Sequence, residues 1–320
     1  MSLNDSPVRI LALDGGGLRA AFSLSILQKL EDVAKRPLHT VFDLIIGTST
    51  GAILTFGIGY KKFSPAECLE SYRKLGEIIF PTSMWNDIWG KVRDVWQGAY
   101  WDAEQLEQAM KDLFGSSTVL SSINNFPPHL ACVAAECSQS PGGVVVFSTY
   151  NRDNMPFAGT DDVKIWQAIR ASTAAPTFFD VFHLRNAKLA KHFNGRQTLL
   201  DGGLLANNPA LVGLLEARRL FPDRLHTVVS VGTGRARTTE NVSEQWWSTS
   251  LRVALNTAMS SEMVDATLQA FPSNTYFRIN GNLKRAEEMD RYECFDYWKH
   301  EGEKVAAQYD KWNEVEAALR

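Results

Sequence analysis

The chain has 320 residues, 45% of them apolar, and its 33 Lys and Arg nearly balance 36 Asp and Glu, leaving a formal net charge of −3. That length allows two domains but is common for one α/β unit, and the apolar fraction suits a large core. The near-balance of charge excludes nucleic acid or an anionic membrane as a main electrostatic partner.

The N-terminus lacks the basic-then-apolar pattern of a signal peptide. Val8–Leu13 is an apolar, strand-like run that ends in Asp14-Gly15-Gly16-Gly17-Leu18-Arg19. A helix to about Lys35 follows, with Leu24, Leu27, Leu30 and Val33 at near-helical spacing and Pro37 as its stop. Three glycines at a strand-to-helix junction offer bare amides to an anion. Gly15, Gly17 and Ala20 formally satisfy the dinucleotide fingerprint, but that site also needs an acid at the end of the second strand. Here the second strand ends in Ile46-Gly47-Thr48, with its acid, Asp43, near the start. The competing readings are an oxyanion hole, as in serine hydrolases that take an amide from a glycine loop after an earlier strand, and a tight turn alone.

The second strand, Val41–Ile46, runs into Gly47-Thr48-Ser49-Thr50-Gly51 and then a helical segment, Ala52–Tyr60. Strand, sharp turn and helix with Gly-x-Ser-x-Gly at the corner is the layout of a nucleophile elbow. Gly47 and Gly51 leave the Ser49 hydroxyl uncrowded, and the helix start aims unpaired N–H groups at any oxyanion formed there. The uncharged stretch Leu44–Tyr60 is too short, and too interrupted by the polar turn, to read as a transmembrane span.

Residues 64–79 read as a helix. In the segment that follows, Trp85, Trp89, Val92 and Trp96 share one helical face, and Trp101 ends the run. Such a face suits docking on lipid head groups, covering an acyl channel, or burial against the body. Asp102–Phe114 is an amphipathic helix closed by Gly115. His129–Glu136 and Gly143–Thr149 read as neighbouring strands, and Val163–Ser172 as a helix stopped by Pro176. Gln197–Leu200 is a short strand ending at Asp201-Gly202-Gly203. Leu211–Leu220 is helical, and His226–Val231 is a strand running into Gly232-Thr233-Gly234. A long polar helix, Glu244–Ala270, a strand, Thr275–Ile279, and a helix from Trp298 complete the chain. Alternating strands and helices predict an α/β fold: a mostly parallel sheet with helices on both faces. Cys68, Cys132, Cys137 and Cys294 form no Cys-x-x-Cys pair and no zinc spacing, so they read as reduced cysteines of a cytosolic protein.

A serine nucleophile needs a base. His129, His183, His192, His226 and His300 all follow Ser49, but none lies in a glycine-rich or strand-end setting suited to a catalytic loop. Only one strand precedes the elbow strand, so the α/β-hydrolase order of serine, acid and histidine fits badly. Asp201 ends an apolar strand and opens a Gly-Gly turn, on the side of a parallel sheet where ligands bind. A turn aspartate capping its own backbone is the alternative reading.

Asp14–Arg19, Gly47–Gly51, Ala171-Ser172-Thr173-Ala174-Ala175-Pro176 and Asp201-Gly202-Gly203-Leu204, in that order, resemble the patatin-like phospholipases. Asn207-Asn208-Pro209 and Ser230-Val231-Gly232-Thr233-Gly234 match further blocks, and the resemblance covers about residues 8–280. It implies a three-layer α/β/α patatin-like fold for a single domain of residues 1–320, with a C-terminal strand and helical extension over about 274–320. It also implies a Ser49–Asp201 dyad, an oxyanion hole at Gly15, Gly16 and Gly17 with help from the Thr50 amide, and a base turn at Gly202 and Gly203. The substrate class implied is membrane glycerophospholipid, hydrolysed without metal or other cofactor, with Arg19 either near the lipid phosphate or in a salt bridge. Ala20 and Ala52 stand where the family commonly has glycine, and neither change removes a needed amide. A narrower similarity, to bacterial patatin-like effectors of anti-phage systems, rests on the helix after the Trp segment and on Tyr276-Phe277-Arg278-Ile279-Asn280. It implies a cyclic di- or trinucleotide activator, a homo-oligomer, and action from the cytoplasm at the membrane surface. A constitutive lipid hydrolase, a non-catalytic lipid- or nucleotide-binding module, and a dinucleotide-dependent oxidoreductase are the alternatives.

Overall fold

The computed structural model describes residues 6–79, 102–123, 127–139, 141–176, 178–193, 197–235, 261–271, 274–283 and 291–320. The Trp85–Trp101 face and the 244–260 part of the expected polar helix lie outside these residues.

Among them, nine strands form one sheet. They are β1 (Val8–Leu13), β2 (Leu44–Thr48), β3 (His129–Glu136), β4 (Gly143–Ser148), β5 (Ala158–Thr160), β6 (Phe182–Leu184), β7 (Gln197–Asp201), β8 (His226–Val231) and β9 (Asn274–Ile279). The main path runs β5-β4-β3-β2-β1-β8-β9, and β7 joins β3 and β6 off that path. β9, β8, β1, β2 and β3 are mutually parallel, whereas β4 returns antiparallel to β3 as a neighbouring strand. The sheet is thus mostly parallel, as the alternation of elements predicts.

Its helices are α1 (Ala20–Ala34), α2 (Thr50–Gly59), α3 (Pro65–Ile79), α4 (Ala103–Phe114), α5 (Ile165–Ser172), α6 (Ala210–Leu220), α7 (Glu262–Gln269), α8 (Phe295–Gln308) and α9 (Trp312–Leu319), with a single turn at Gly203–Ala206. Strand side chains divide by their period of two. Leu11, Leu13, Ile45, Cys132, Val229 and Val231 enter one core with α1, α2, α3, α4, α5, α8 and α9. Val8, Ile10, Ala12, Leu44, Ile46 and Val228 enter the other, under α6 and α7. Burial on both faces explains why β1 and β2 are mostly apolar with no regular polar alternation, and why the polar residues of β8, His226, Thr227 and Ser230, are buried as well.

Local chemistry sets the boundaries. Asp102 caps α4, its carboxylate accepting the Glu104 amide at 2.8 Å. Lys35 takes the left-handed conformation that ends α1, with φ 57°. α8 lies so close on α1 that a Cβ on Gly302 would sit 2.3 Å from the Phe22 carbonyl oxygen. The Ser25 hydroxyl donates to the Lys299 carbonyl across the same contact at 2.9 Å.

α2 has no polar face. Thr50 to Ile58 are all buried, so it is a core helix emerging from the end of β2. That position brings backbone against backbone: a Cβ on Gly51 would lie 2.1 Å from the Leu13 carbonyl oxygen, and one on Gly47 would lie 2.1 Å from the Gly51 carbonyl oxygen. Main-chain atoms held in a sheet cannot step aside as a side chain would. Gly51→Ala is therefore expected to cost at least about 2 kcal/mol of stability, at the upper end of overpacking penalties, read as a lowered midpoint in urea unfolding.

Candidate active site

The site is built where two strands meet end to end. β2 pairs with β3 from Leu44 opposite His129 to Thr48 opposite Val133, and there it stops. One residue further along β3, Ala134 faces Asp201, the last residue of β7, which runs antiparallel over Ala134–Glu136. The other edge of β3 is occupied by β4. β7 therefore takes over the edge that β2 vacates, and their two C-terminal ends abut.

Ser49 is the first residue after β2, with φ 56° and ψ −123°. A side-chain-bearing residue in that region costs of order 1–3 kcal/mol and persists only when its surroundings hold it. Its amide donates to Ser172 Oγ at 2.8 Å, and that hydroxyl donates to the Val133 carbonyl at 2.6 Å. Its carbonyl accepts the Ala52 amide at 2.8 Å. So held, the hydroxyl donates to Asp201 Oδ2 at 2.6 Å.

The second oxygen of Asp201, Oδ1, accepts the Gly203 amide at 2.7 Å. The Asp201 amide donates to the Ala174 carbonyl at 2.9 Å, and the Gly202 amide donates to that of Ser172 at 3.4 Å. The Ala171–Pro176 block thus bridges nucleophile and base. Sequence reasoning used that block only for resemblance and did not single out Ser172. Its signal was the pair of hydroxyls, Ser172 and Thr173, set among Ala171, Ala174 and Ala175 at a helix end. Burial pushes the Asp201 carboxyl up to about 6, against the opposing effect of its hydrogen bonds from Ser49 and Gly203.

An open cleft lies over Ser49, lined also by Gly16, Gly17, Thr50 and Asp201. Its remaining walls are mostly apolar, including Leu18, Ile53, Leu75, Ile79, Leu106 and Phe179. The structure corrects two expectations here. Gly15 does not line the cleft, and its amide donates to the Asn207 carbonyl at 3.2 Å, so the glycine amides beside Ser49 narrow to those of Gly16 and Gly17. Arg19 does not line the cleft either. Arg19 is half-buried near Asp14, with its Nε shielded from solvent, and desolvation lowers its pKa to about 10; of the two readings of Arg19, this favours the one near an acidic partner over contact with a lipid phosphate in this cleft.

Asp14 itself pairs with Arg278 of β9, through bonds of 2.8 Å to Oδ1 and 2.5 Å to Oδ2. This pair pins the start of the glycine loop to the far strand of the sheet. None of the six histidines lines the cleft. His129 and His226 begin β3 and β8, at the ends of those strands remote from the elbow.

Chemically, a strained serine hydrogen-bonded to a buried, moderately basic carboxylate, beside backbone amides and an apolar cleft, has the parts for acyl transfer. Residues 11–214 match the family Patatin, described as patatin-like phospholipase. The chain belongs to this family. It is 36% identical over 321 residues to calcium-independent phospholipase A2-gamma of Rattus norvegicus, covering 95% of this chain and 39% of that protein. It is 30% identical over 222 residues to the cGAMP-activated phospholipase of Vibrio cholerae, covering 66% of this chain and 58% of that one. Among solved structures, human GIVD cytosolic phospholipase A2 aligns with 100% of this chain and 63% of its own at 11% identity, with a TM-score of 0.48. The chain thus spans about two fifths of the length of its mammalian A2-gamma relatives.

The carboxyl of Asp201 titrates higher folded, at about 6, than its ordinary 3.8. The folded state therefore holds that proton more tightly. This contribution to stability is complete below the unfolded value and is lost as pH rises through the folded one. Asp201→Asn is expected to unfold at a higher temperature than wild type at pH 7–8, with the gap narrowing toward pH 4. A reaction that uses Asp201 as its base should show kcat/KM climbing tenfold per pH unit below about 6 and levelling off above it, and each single histidine variant should keep that limb, as read by stopped ester-hydrolysis assays across pH.

Proposed function

We propose that this chain is a serine lipid acyl hydrolase of the phospholipase A type, releasing fatty acid from membrane glycerophospholipid through the Ser49–Asp201 dyad. The observation that carries this reading is the 2.6 Å bond from Ser49 Oγ to Asp201 Oδ2 at the floor of an apolar cleft. Asp201 Oδ2 takes the hydroxyl proton as Oγ attacks the ester carbonyl carbon. The oxyanion forms beside the amides of Gly16, Gly17 and Thr50, where losing one donor typically costs about 3 kcal/mol of barrier. Thr50 is the first residue of α2, so its amide has no partner within the helix. As the tetrahedral species collapses, the protonated Asp201 returns its proton to the departing lysolipid oxygen. Water then attacks the acyl-enzyme with the same carboxylate as base, and Ser49 is reprotonated as fatty acid leaves. Desolvation raises the basicity that this requires of a carboxylate, while the Gly203 amide helps hold it anionic.

The second part of the proposal is that a cyclic nucleotide switches the enzyme on, by changing its oligomeric state, in defence against phage. The similarity to the Vibrio cholerae cGAMP-activated phospholipase supports it. A constitutive lipid hydrolase is the reading favoured by the higher identity to A2-gamma proteins, whose names carry no nucleotide. Among the described residues no helix is long and apolar enough to cross a membrane. Action from the cytoplasm at the membrane surface is part of the same proposal and stands or falls with the likeness to the Vibrio cholerae protein.

Phosphatidylcholine and phosphatidylglycerol vesicles, incubated with the protein with and without a panel of cyclic di- and trinucleotides, test both parts through released fatty acid. Hydrolysis by wild type is expected to vanish in Ser49→Ala, and an alkyl fluorophosphonate should label wild type at Ser49 alone. Full activity of the variant, or labelling elsewhere, overturns the dyad. Strong activity indifferent to every nucleotide removes the switch and leaves the hydrolase.

A further inference from the structure

Three consecutive carbonyls of the glycine loop are each held by a donor. Gly15 O accepts Thr233 Oγ1 at 2.9 Å, and Gly16 O accepts the Arg19 amide at 3.2 Å. Gly17 O accepts the Ala20 amide and is also approached by Thr50 Oγ1 at 2.9 Å and by the Tyr72 hydroxyl at 3.1 Å. Those two hydroxyls also lie 2.9 Å from each other. Whichever of them donates to the other, one proton remains for Gly17 O.

In a trans peptide the carbonyl and the N–H of the next residue point in opposite directions. Holding the Gly15, Gly16 and Gly17 carbonyls therefore aims the amides of Gly16, Gly17 and Leu18. These three residues line the cleft at Ser49, and Thr233 does not. The aim needs support from outside the loop, because glycine peptides rotate at little steric cost, and Gly17 already sits at φ 56°. Thr233, in the turn after β8, is buried against the loop: a Cβ on Gly16 would lie 2.3 Å from its hydroxyl oxygen. Tyr72, on α3, is buried as well, and its phenol is pushed up to about 12, so it keeps its proton across the working range.

We propose that Thr233 and Tyr72 are positioning residues that aim the Gly16 and Leu18 amides at the oxyanion and so set the strength of the oxyanion hole. The inference rests on the acyl-transfer reading of Ser49, and it adds Leu18 as a third amide of the loop. Thr233 acts only through the Gly15–Gly16 peptide. Tyr72 shares its task with Thr50 and with the Ala20 amide, so its removal alone leaves donors to Gly17 O and its effect is the smaller one.

The test compares Thr233→Val, which keeps shape and removes the donor, with Thr233→Ser, which keeps the donor, and with Tyr72→Phe. Each is assayed on p-nitrophenyl butyrate for kcat and KM separately. Each is then inhibited with a long-chain alkyl trifluoromethyl ketone, which adds Ser49 Oγ to give a tetrahedral oxyanion, and with the matching long-chain alcohol, which fills the apolar cleft without one. Thr233→Val is expected to lose ~10- to 100-fold in kcat, less than outright deletion of a donor, with KM within about twofold. Its inhibition by the ketone should weaken in proportion while inhibition by the alcohol stays unchanged. Thr233→Ser should recover most of the loss, and Tyr72→Phe should show the same pattern at a smaller size. Equal weakening of ketone and alcohol would assign these residues to cleft shape alone and overturn the proposal. So would a Thr233→Val enzyme as fast as wild type, with the Ser49 reading left standing. A wild type that neither hydrolyses the ester nor is labelled at Ser49 overturns that reading instead.

Discussion

The abutment of β2 and β7 on one edge of β3 is the constraint on which the rest of the structure depends. A parallel strand and an antiparallel strand share that edge, and the peptide ladder of β3 sets where each of them stops. Thr48 and Asp201 face adjacent residues of β3, so Ser49 and Asp201, far apart in sequence, meet without a flexible loop having to close over them. Rigid elements hold reacting groups to tighter tolerance than loops do. The position beside the hydroxyl is filled by the carboxylate from the neighbouring strand end, and none of the six histidines lines the cleft.

Burying this apparatus carries an electrostatic cost, which the fold meets with hydrogen bonds. Asp201 keeps two donors, and the Ser49 amide and the Val133 carbonyl share the one hydroxyl of Ser172. Asp14 is buried with both oxygens on Arg278, and that guanidinium also donates to the hydroxyls of Ser230 and Ser261. Ser230 in turn donates to Asn208 at 3.1 Å, and the Asn208 side chain accepts the Ala210 amide at 3.0 Å. These bonds form two polar clusters, one around Ser49 and Asp201 and one that ties the start of the glycine loop to β9, β8 and the turn before α6. Breaking one buried member of such a cluster strands its partner, which is how these bonds resist local rearrangement.

Much of this was legible in the residues. Long apolar runs at helical or strand spacing placed β1, β3, β8, α1, α3, α4 and α6 within a few residues. β5 and β6 escaped notice because three residues carry no period, and only their neighbours in the sheet make them strands. The second strand begins at Leu44 and not at Val41, since Val41 and Phe42 are buried in the α1-side core straight after a helical turn at Leu38–Thr40. The C-terminal helix proved to be two, α8 and α9, divided after Gln308. The glycine loop was legible as an anion cradle, but which of its amides are committed was not. That depends on Asn207, nearly two hundred residues away.

By itself the sequence determined the elbow, the glycine loop and the candidate base, because each is a local demand on backbone conformation that a few residue types meet. It also determined an α/β class, since the periods of two and 3.6 alternate along the chain. Only the tertiary structure decided that Ser49 and Asp201 touch, that the Gly15 amide is committed to Asn207, and that Arg19 lies near Asp14 and off the cleft lining. Those outcomes depend on strand register and on which carbonyl lies across from which amide, and neither is encoded within any single stretch.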